Sequence, residues 1–198
     1  LSVLHQIRAL RENDAGIEFL ASILKGKRGI IDLLYVKEIL AEIEEDSRRE
    51  LAEEQRPKEE KPSPEQVLSG AEEAARNILP GFDLNSVLTS GDPAREVLKL
   101  CRGEDYDLLS LEAYGKGGFK KSILGAHGNE IVKASTIPTL VHKGKLDSCE
   151  RLLIHVPNDR ERCTNLVSYL ANLFEGSKPA MTFLVILSEE GEKFEGYI

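Results

Sequence analysis

The sequence predicts an α/β fold, a doubly wound parallel sheet of five strands followed by a partial β-α-β second copy. Three observations lead to this prediction. Short, almost wholly apolar runs such as IIDLLYV at 30–36 alternate with amphipathic helical patterns, which is typical of strands covered on both faces. Residues 107–141 contain a strand, a glycine-rich turn, a helix and a further strand. From residue 151 onward, the pattern of residues 1–38 returns.

The chain begins with a strand, a helix and a second strand. Residues 2–7 are rich in Val, Leu and Ile and predict the first strand. After a polar loop, a helix is expected from about Asp14 to the glycines at 26 and 29, and residues 30–36 follow as the second strand. The helix carries an apolar stripe at helical spacing, formed by Ile17, Leu20, Ala21 and Leu24.

An acidic, proline-containing insert follows over residues 37–64. Between Lys37 and Glu65 there are 11 acidic and 6 basic residues, so this stretch carries −5 of the net charge of −8. Such a composition favours a solvated connection, and a partner-docking arm is the alternative. The stretch Ser63 to Gln66 predicts a helix start, because it combines a capping Ser, a Pro in the first turn and a Gln three residues after the Ser.

The remaining elements alternate regularly and complete one domain over residues 1–146. The helix that starts at Ser63 is expected to bury Val67, Ala71, Ala74, Ala75 and Ile78. The next predicted elements are a strand at 82–89, a helix entered through Gly91-Asp92-Pro93, a strand at 106–111, a helix, and a fifth strand at 139–141. Right-handed crossovers between these strands give a doubly wound sheet.

A second, incomplete copy is predicted over residues 150–198. At a constant offset of 150, Leu4-His5 aligns with Ile154-His155, and the helix stripe and Gly26 align with their counterparts. We therefore expect a strand, a helix and a strand within residues 151–188. The alignment gives His5 and His155 a shared structural role, whereas His142 is expected to be exposed.

Composition excludes several classes of function. With 198 residues, of which 41% are apolar and 30% charged, the chain can form one domain or one and a fraction. The net charge of −8 argues against nucleic acid as a partner. We expect neither a membrane segment nor a secretory signal, although a chain that begins with Leu is compatible with a longer parent protein.

The three cysteines indicate a cytoplasmic protein without a metal site. Cys101, Cys149 and Cys163 form no CxxC pair and have no histidine at ligand spacing. Reduced thiols of this kind are typical of the cytoplasm. No acid, base or nucleophile forms a catalytic motif either, so enzymatic activity is not expected.

The order of motifs within residues 65–141 resembles the universal stress protein family, and the resemblance extends more weakly toward residue 1. The segments that carry it are Gly91-Asp92-Pro93-Ala94, Asp107-Leu108-Leu109, the glycine turn after it, Leu124-Gly125-Ala126 and Ile137 to Val141. The resemblance implies a flavodoxin-like or Rossmann-like domain of the nucleotide-binding α-hydrolase type. It also implies a regulatory or stress-response role and a site for ATP or AMP.

The family's nucleotide motif is Gly-x-x-Gly, nine residues, then Gly-Ser or Gly-Thr. Small residues let backbone amides approach the phosphates, and the helix N-terminus that follows favours negative charge. Spacing alone selects Gly115, Gly118 and Gly128. Alignment on the fourth strand and on the strand after the helix instead places Glu112, Gly115 and Gly125-Ala126 at the motif positions, so two of the four are kept.

Two further residues are assigned to this site. Val36, at the end of the second strand, matches the position whose backbone faces adenine in the family, and His127 could contact a ligand phosphate. Against binding, Glu112 adds a negative charge where the phosphates would lie, and Ile7-Arg8 stand where the family's nucleotide binders place an Asp. Two interpretations stay open: a degenerate site for ATP or AMP, and a pocket that binds no nucleotide.

The resemblance also implies a partner. Family members usually pair through the fifth strand, whose edge is exposed, so a homodimer or a tandem pseudo-dimer is expected. Tandem copies with degenerate motifs also occur in regulatory regions of membrane transporters. The alternative function is therefore a cytoplasmic regulatory domain of a transporter, with a dimerisation role and no nucleotide.

Overall fold

The computed structural model describes residues 1–7, 15–38, 62–112, 125–142, 149–157 and 159–185. The described elements, in chain order, are β1 (Ser2–Ile7), α1 (Ala15–Ile23), β2 (Gly29–Lys37), α2 (Pro64–Ile78), β3 (Phe82–Ser90), α3 (Pro93–Gly103), β4 (Leu108–Glu112), α4 (Gly125–Ala134), β5 (Thr139–His142), β6 (Arg151–Val156), α5 (Arg160–Leu173) and β7 (Ala180–Val185). Most of the acidic insert, residues 39–61, lies outside the described residues.

Five parallel strands form the main sheet in the order β3-β2-β1-β4-β5. The longest pairing joins β2 to β3, from Gly29 opposite Phe82 to Lys37 opposite Ser90. This is a doubly wound order in which β1 is central, β2 and β4 flank it, and β3 and β5 form the edges. The predicted fold class is confirmed.

Helices cover both faces of this sheet. On one face, α1 and α2 pack onto β1 and β2 in a cluster that includes Val3, Ile7, Ile17, Leu20, Ile31, Leu33, Val67 and Ala71. On the other face, Ala94 and Val97 of α3 and Ile131 of α4 form a cluster with the strand residues Leu4, Leu34 and Leu109. Because both faces are buried, the strands need apolar residues at successive positions, which is the pattern that predicted them.

The predicted start of α2 is confirmed in atomic detail. The Ser63 side chain accepts a hydrogen bond from the Gln66 amide at 3.2 Å, and the Gln66 side chain accepts one from the Ser63 amide at 2.7 Å. This reciprocal capping box satisfies backbone donors that the first helical turn leaves free. The predicted inward face of α2 is partly wrong, since Ala74 is exposed and Ile78 is 40% exposed.

The segment from β6 to β7 forms a separate two-stranded parallel sheet with α5 as its crossover. We call this segment the second unit. Its Leu173 and Phe174, 6% and 5% exposed, belong to the same apolar cluster as Leu20 of α1 and Leu24, which directly follows that helix. The second unit therefore packs against the first domain along α1. Whether the chain divides into a domain at 1–146 and a repeat at 150–198 stays a prediction.

Strand register corrects the predicted alignment of the two copies. His5 lies opposite Leu33, and Ile154 lies opposite Phe183. The two strands therefore cannot share one offset: if the second strand keeps the offset of 150, the residue that matches His5 is Ile154, at an offset of 149. His5 is 1% exposed whereas His155 is exposed on the opposite face, so the predicted shared role of the two histidines is wrong.

Candidate functional site

The carboxyl ends of β2, β3 and β4 come together at one edge of the main sheet. Lys37 pairs in register with Ser90, and the Gly91 amide donates to the Lys37 carbonyl oxygen at 3.0 Å. In doubly wound sheets, ligands bind beyond this edge. We call the region the carboxyl-edge site and define it by Val36, Asp92, Glu112, Ala126 and His127.

Val36 contributes its backbone to the carboxyl-edge site, since its side chain is only 8% exposed and packs in the cluster that contains Ala94 and Ile131. Within the described residues, the pairing of β1 with β2 ends at Ile7 opposite Tyr35. Toward the carboxyl end of β2, Val36 is thus the first residue without a register partner on the described part of β1, and it pairs on its other side with Thr89 of β3. This is compatible with the predicted role of Val36 beside an adenine.

His127 is linked to the start of α3 rather than standing alone. Its Nδ1 lies 3.5 Å from Oδ2 of Asp92, and the two side chains are 37% and 48% exposed. Asp92 is also the N-cap of α3, because its Oδ1 accepts the Arg95 amide at 2.9 Å. The contact joins the N-termini of α3 and α4, so the predicted phosphate ligand lies next to a carboxylate.

The other predicted motif residues divide between described and undescribed parts of the chain. Gly125 is the first residue of α4 and Ala126 the second, and Ala126 is exposed. Both therefore belong to the first turn of a helix, where backbone amides favour an anion. Gly115 falls within 113–124, outside the described residues.

Acidic side chains lie at the same edge of the sheet. Glu112 ends β4 and is half-buried, and Glu96, in the first turn of α3, accepts a hydrogen bond from the Thr89 hydroxyl at 3.1 Å. Together with Asp92, the N-cap of α3, they place three carboxylates at the carboxyl edge. The local charge opposes a multiply charged phosphate chain, whereas the helix N-termini favour it.

A buried polar cluster lies next to the carboxyl-edge site, beneath the start of α1. His5, Ser110 and His142 are 1%, 0% and 1% exposed, and His5 Nδ1 lies 3.0 Å from Ser110 Oγ. The rings of His5 and His142 stack with centroids 6.3 Å apart. A Cβ atom at Gly16 would lie 2.5 Å from His142 Nε2, so α1 can approach this closely only with glycine there.

The predicted exposure of His142 is therefore wrong. Side chains alternate between sheet faces, and residue 142 lies on the same face of β5 as Leu140, which packs in the α1 cluster. Sequence reasoning also missed Ser110 and the second role of Asp92. The Asp-Pro pair at the start of α3 was the available signal for Asp92, since an N-cap followed by Pro is a common helix start.

A second crevice, of about 490 Å³, lies between α1 and the second unit. Lys25, Lys27 and Arg28 line one side, and Asn172 and Glu175 line the other. It adjoins the start of β2 and is therefore at the opposite end of the sheet from the carboxyl-edge site. The crevice belongs to the contact between the two parts of the chain.

The described parts of the chain contain neither a metal-binding group nor a membrane-spanning helix. In those parts, His, Cys, Asp and Glu side chains form no group of three or more that could hold a metal ion. The described helices also include none with the length and apolar character needed to cross a membrane. All three cysteines are free thiols, and burial raises the pKa of Cys101 to about 11.

The fold and the open carboxyl edge place this chain among doubly wound α/β proteins. A sequence profile of the Universal stress protein family matches residues 9–143. Because that match spans more than half of the chain, the chain belongs to the universal stress protein family.

Individual relatives agree with this assignment. Universal stress protein MJ0577 of Methanocaldococcus jannaschii is 31% identical over 65 residues, which are 33% of this chain and 40% of that protein. The match thus covers less than half the length of that relative.

Solved structures extend the likeness to most of the chain. A universal stress protein of Archaeoglobus fulgidus DSM 4304 aligns with 96% of this chain and 68% of its own chain, at 18% identity and a TM-score of 0.59. Hypothetical protein PH0823 aligns with 74% of this chain and 97% of its own, at 21% identity and a TM-score of 0.51. At these identities the likeness concerns the fold.

Proposed function

We propose that this protein is a regulatory stress-response protein whose carboxyl-edge site binds an adenine nucleotide, with a preference for AMP over ATP. The proposal rests on one observation: Val36, near the end of β2, and the N-terminus of α4 lie at the same edge of the sheet. Val36 offers strand backbone at the carboxyl edge to a base, and the first turn of α4 offers helix amides to a phosphate.

The preference for AMP follows from charge. A nucleotide phosphate at the start of α4 lies near Asp92 and Glu112, whose carboxylates repel it. Each additional phosphate adds negative charge to that repulsion, while the first helical turn supplies a fixed number of amides. The shorter phosphate group of AMP therefore loses less binding energy at this site than the chain of ATP.

We further propose that the protein is cytoplasmic and forms a tandem pseudo-dimer. Free thiols at Cys101, Cys149 and Cys163 support a reducing compartment. Leu140 of β5 and Leu152 of β6 both pack against the α1 cluster, which supports an association of the second unit with this face of the sheet. Pairing of fifth strands between two chains is the alternative arrangement.

The test is to denature freshly purified protein, identify the released small molecules by mass spectrometry, and titrate nucleotide-free protein with AMP and ATP. We expect an adenine nucleotide to be released and AMP to bind more tightly than ATP. The variant to compare with the wild-type protein is His127→Ala. It removes a side chain at the phosphate position and leaves the Asp92 cap of α3 in place.

An empty protein that responds to neither nucleotide would overturn the proposal. The three carboxylates at the carboxyl edge would then define a pocket that rejects phosphates. That result favours the second candidate function, a regulatory domain of a membrane transporter, in which the domain acts through protein contacts alone.

A further inference from the structure

Asp92 connects two helix N-termini at the carboxyl-edge site. Its Oδ1 accepts the Arg95 amide at 2.9 Å as the N-cap of α3, and its Oδ2 lies 3.5 Å from Nδ1 of His127 in the first turn of α4. Because the cap fixes one carboxylate oxygen, the position of the other is restricted as well. The carboxylate therefore faces a defined nitrogen of the imidazole ring.

This contact favours one of the two forms of the neutral imidazole ring. A neutral ring carries its proton on either Nδ1 or Nε2, and the nitrogen without the proton is an acceptor. If Nδ1 were the acceptor, its lone pair would face the negative Oδ2 of Asp92. The proton is therefore favoured on Nδ1, and Nε2 of the neutral ring is an acceptor that cannot donate to a phosphate oxygen.

Protonation reverses the character of Nε2. In the imidazolium form both nitrogens carry a proton, so Nδ1 still presents one to Asp92 while Nε2 becomes a cationic donor. Histidine is the residue type that ordinarily changes its charge between about pH 5 and pH 8.

The other charged groups near His127 are of types that ordinarily titrate outside this range. Within the described residues they are Arg95, Glu96 and Lys99 in the first two turns of α3, Glu112 at the end of β4, and Glu130 one turn further along α4. His142 of β5 lies on the opposite face of the sheet, beneath α1. His127 is thus the described group at this site whose charge is expected to change near neutral pH.

We propose that Asp92 is a positioning residue that makes His127 a proton-dependent ligand for the nucleotide phosphate, so that binding at the carboxyl-edge site strengthens as pH falls. This inference rests on the proposed nucleotide site. At acid pH the imidazolium offsets part of the repulsion that Asp92 and Glu112 exert on a phosphate. At alkaline pH the neutral ring presents a lone pair instead. Proton uptake and nucleotide binding therefore strengthen each other.

The first experiment measures AMP affinity by isothermal titration at about pH 5.5 and about pH 8.5, on either side of the ordinary range of histidine, in the wild-type protein and in His127→Gln. The phosphate of AMP itself gains a proton near about pH 6, but this change is common to both proteins. The ratio of the two affinities at each pH therefore reports the contribution of His127. We expect the wild-type protein to bind about fivefold more tightly than His127→Gln at the acid pH, the scale of an exposed ion pair, and no more tightly at the alkaline pH.

Asp92→Asn tests the positioning role. The asparagine oxygen keeps the cap of α3, while its amide group takes the place of Oδ2 and donates to Nδ1 of His127. The neutral ring then carries its proton on Nε2 and donates to a phosphate at both pH values. In the Asp92→Asn background, the contribution of His127 to AMP affinity should therefore persist at the alkaline pH.

Asp159→Asn is the matched control. Asp159 caps α5 as Asp92 caps α3, with its Oδ1 accepting the Arg162 amide at 2.7 Å, and it lies in the second unit, away from the carboxyl edge. This variant should keep the pH dependence of the wild-type protein. Loss of the pH dependence in Asp159→Asn as well would show that Asp92 has no specific role.

A second readout needs no nucleotide. NMR chemical shifts of the ring nitrogens distinguish the two neutral forms of histidine, and comparison with His127→Gln identifies the signals of His127. At alkaline pH we expect the proton on Nδ1 in the wild-type protein and in Asp159→Asn, and on Nε2 in Asp92→Asn. A role of Asp92 limited to capping α3 would not produce this exchange.

A wild-type ring with its proton on Nε2, or a contribution of His127 that is equal at both pH values, would overturn this inference and leave the proposed nucleotide site standing. An Asp92→Asn variant with the pH dependence of the wild-type protein would overturn the positioning role of Asp92. The absence of AMP binding in every one of these proteins at both pH values would instead overturn the proposed function, and the proton-dependent binding with it.

Discussion

At the scale of single residues, glycine and histidine together decide how closely α1 approaches the sheet. His5 and His142 occupy positions that leucine or valine usually fills in a parallel sheet, and their rings lie directly beneath Gly16. A side chain at position 16 would displace the rings or lift the helix. The buried cluster and the small residue above it therefore depend on each other.

Replacing Gly16 by Ala should destabilise the protein by about 1–3 kcal/mol, the usual cost of overpacking a core. The added methyl group would meet His142 Nε2 and His5 Cε1. Gly103→Ala is the control, since a Cβ there meets nothing within 4 Å, and it should be neutral or stabilising by about 0.4–1 kcal/mol. Urea denaturation measures both, and equal effects would contradict this account.

Glu112 offers a second prediction at this scale, which rests on the proposed nucleotide site. Removal of its charge should tighten AMP binding about fivefold, since two charges 4 Å apart in water interact by about 1 kcal/mol. Glu112→Gln tests the charge alone, and Glu112→Gly also removes the bulk. Isothermal titration gives both affinities. Unchanged affinity in both variants would mean that phosphate does not lie beside Glu112.

At the scale of elements, one side chain in the middle of α2 connects this helix to the neighbouring edge strand. Glu72 of α2 pairs with Arg76 one turn later, and its Oε2 accepts a hydrogen bond from Ser86 Oγ of β3 at 3.0 Å. These two hydrogen bonds lower the pKa of the Glu72 carboxyl below its ordinary value, and the hydrogen bond from Arg76 has the larger effect. The ionised carboxylate thus ties α2 to the edge strand.

This pKa shift gives a pH-dependent prediction for Glu72→Gln. Because the folded-state pKa lies below the unfolded value of about 4.5, the stabilisation is present above that pH and is lost as pH falls through the folded pKa. At pH 7 the variant should be less stable by about 0.5–1 kcal/mol, as expected for a largely exposed pair. The difference should shrink progressively as the pH of the denaturant titrations falls below about 4.5, and a difference that does not depend on pH would contradict the assignment.

Element positions followed from local patterns, and the candidate site followed only in part. The capping box at Ser63 needs four consecutive residues, so the sequence alone predicts it. Val36 and His127 were assigned to one edge because parallel strands share their carboxyl ends. The Asp92 partner of His127 lies 35 residues away in the chain, and no local pattern relates the two.

At the scale of the whole molecule, the second unit is held to the first domain at several separate points. Lys27 Nζ donates to Asn172 Oδ1 at 3.1 Å, and Tyr169 donates from its hydroxyl to the Asp107 carbonyl oxygen at 3.3 Å. Burial, followed by the nearby charge of Asp107, raises the pKa of Tyr169 to about 12. Gly176 lies so close to the Lys25 carbonyl oxygen that a Cβ atom would overlap it.

Gly176→Ala should therefore loosen the second unit from α1. The expected readout is the Tyr169 hydroxyl, whose pKa should fall from about 12 toward the ordinary tyrosine value near 10 as it becomes exposed. Ultraviolet titration, with Tyr169→Phe to identify the signal, measures this shift. Gly103→Ala serves again as the control. A Tyr169 pKa that stays near 12 in the Gly176 variant would show that the contact tolerates a methyl group.

The sequence by itself determined the order of strands and helices, the fold class, the helix start at Ser63 and the family resemblance. Each of these depends on residues close together in the chain, whose periodicity and capping patterns act locally. Tertiary structure alone decided that His5, Ser110 and His142 form one buried cluster, that Ile154 rather than His155 matches His5, and that α5 docks beside α1. These contacts join residues as far as 145 positions apart, and they depend on strand register and helix packing, which no local periodicity specifies.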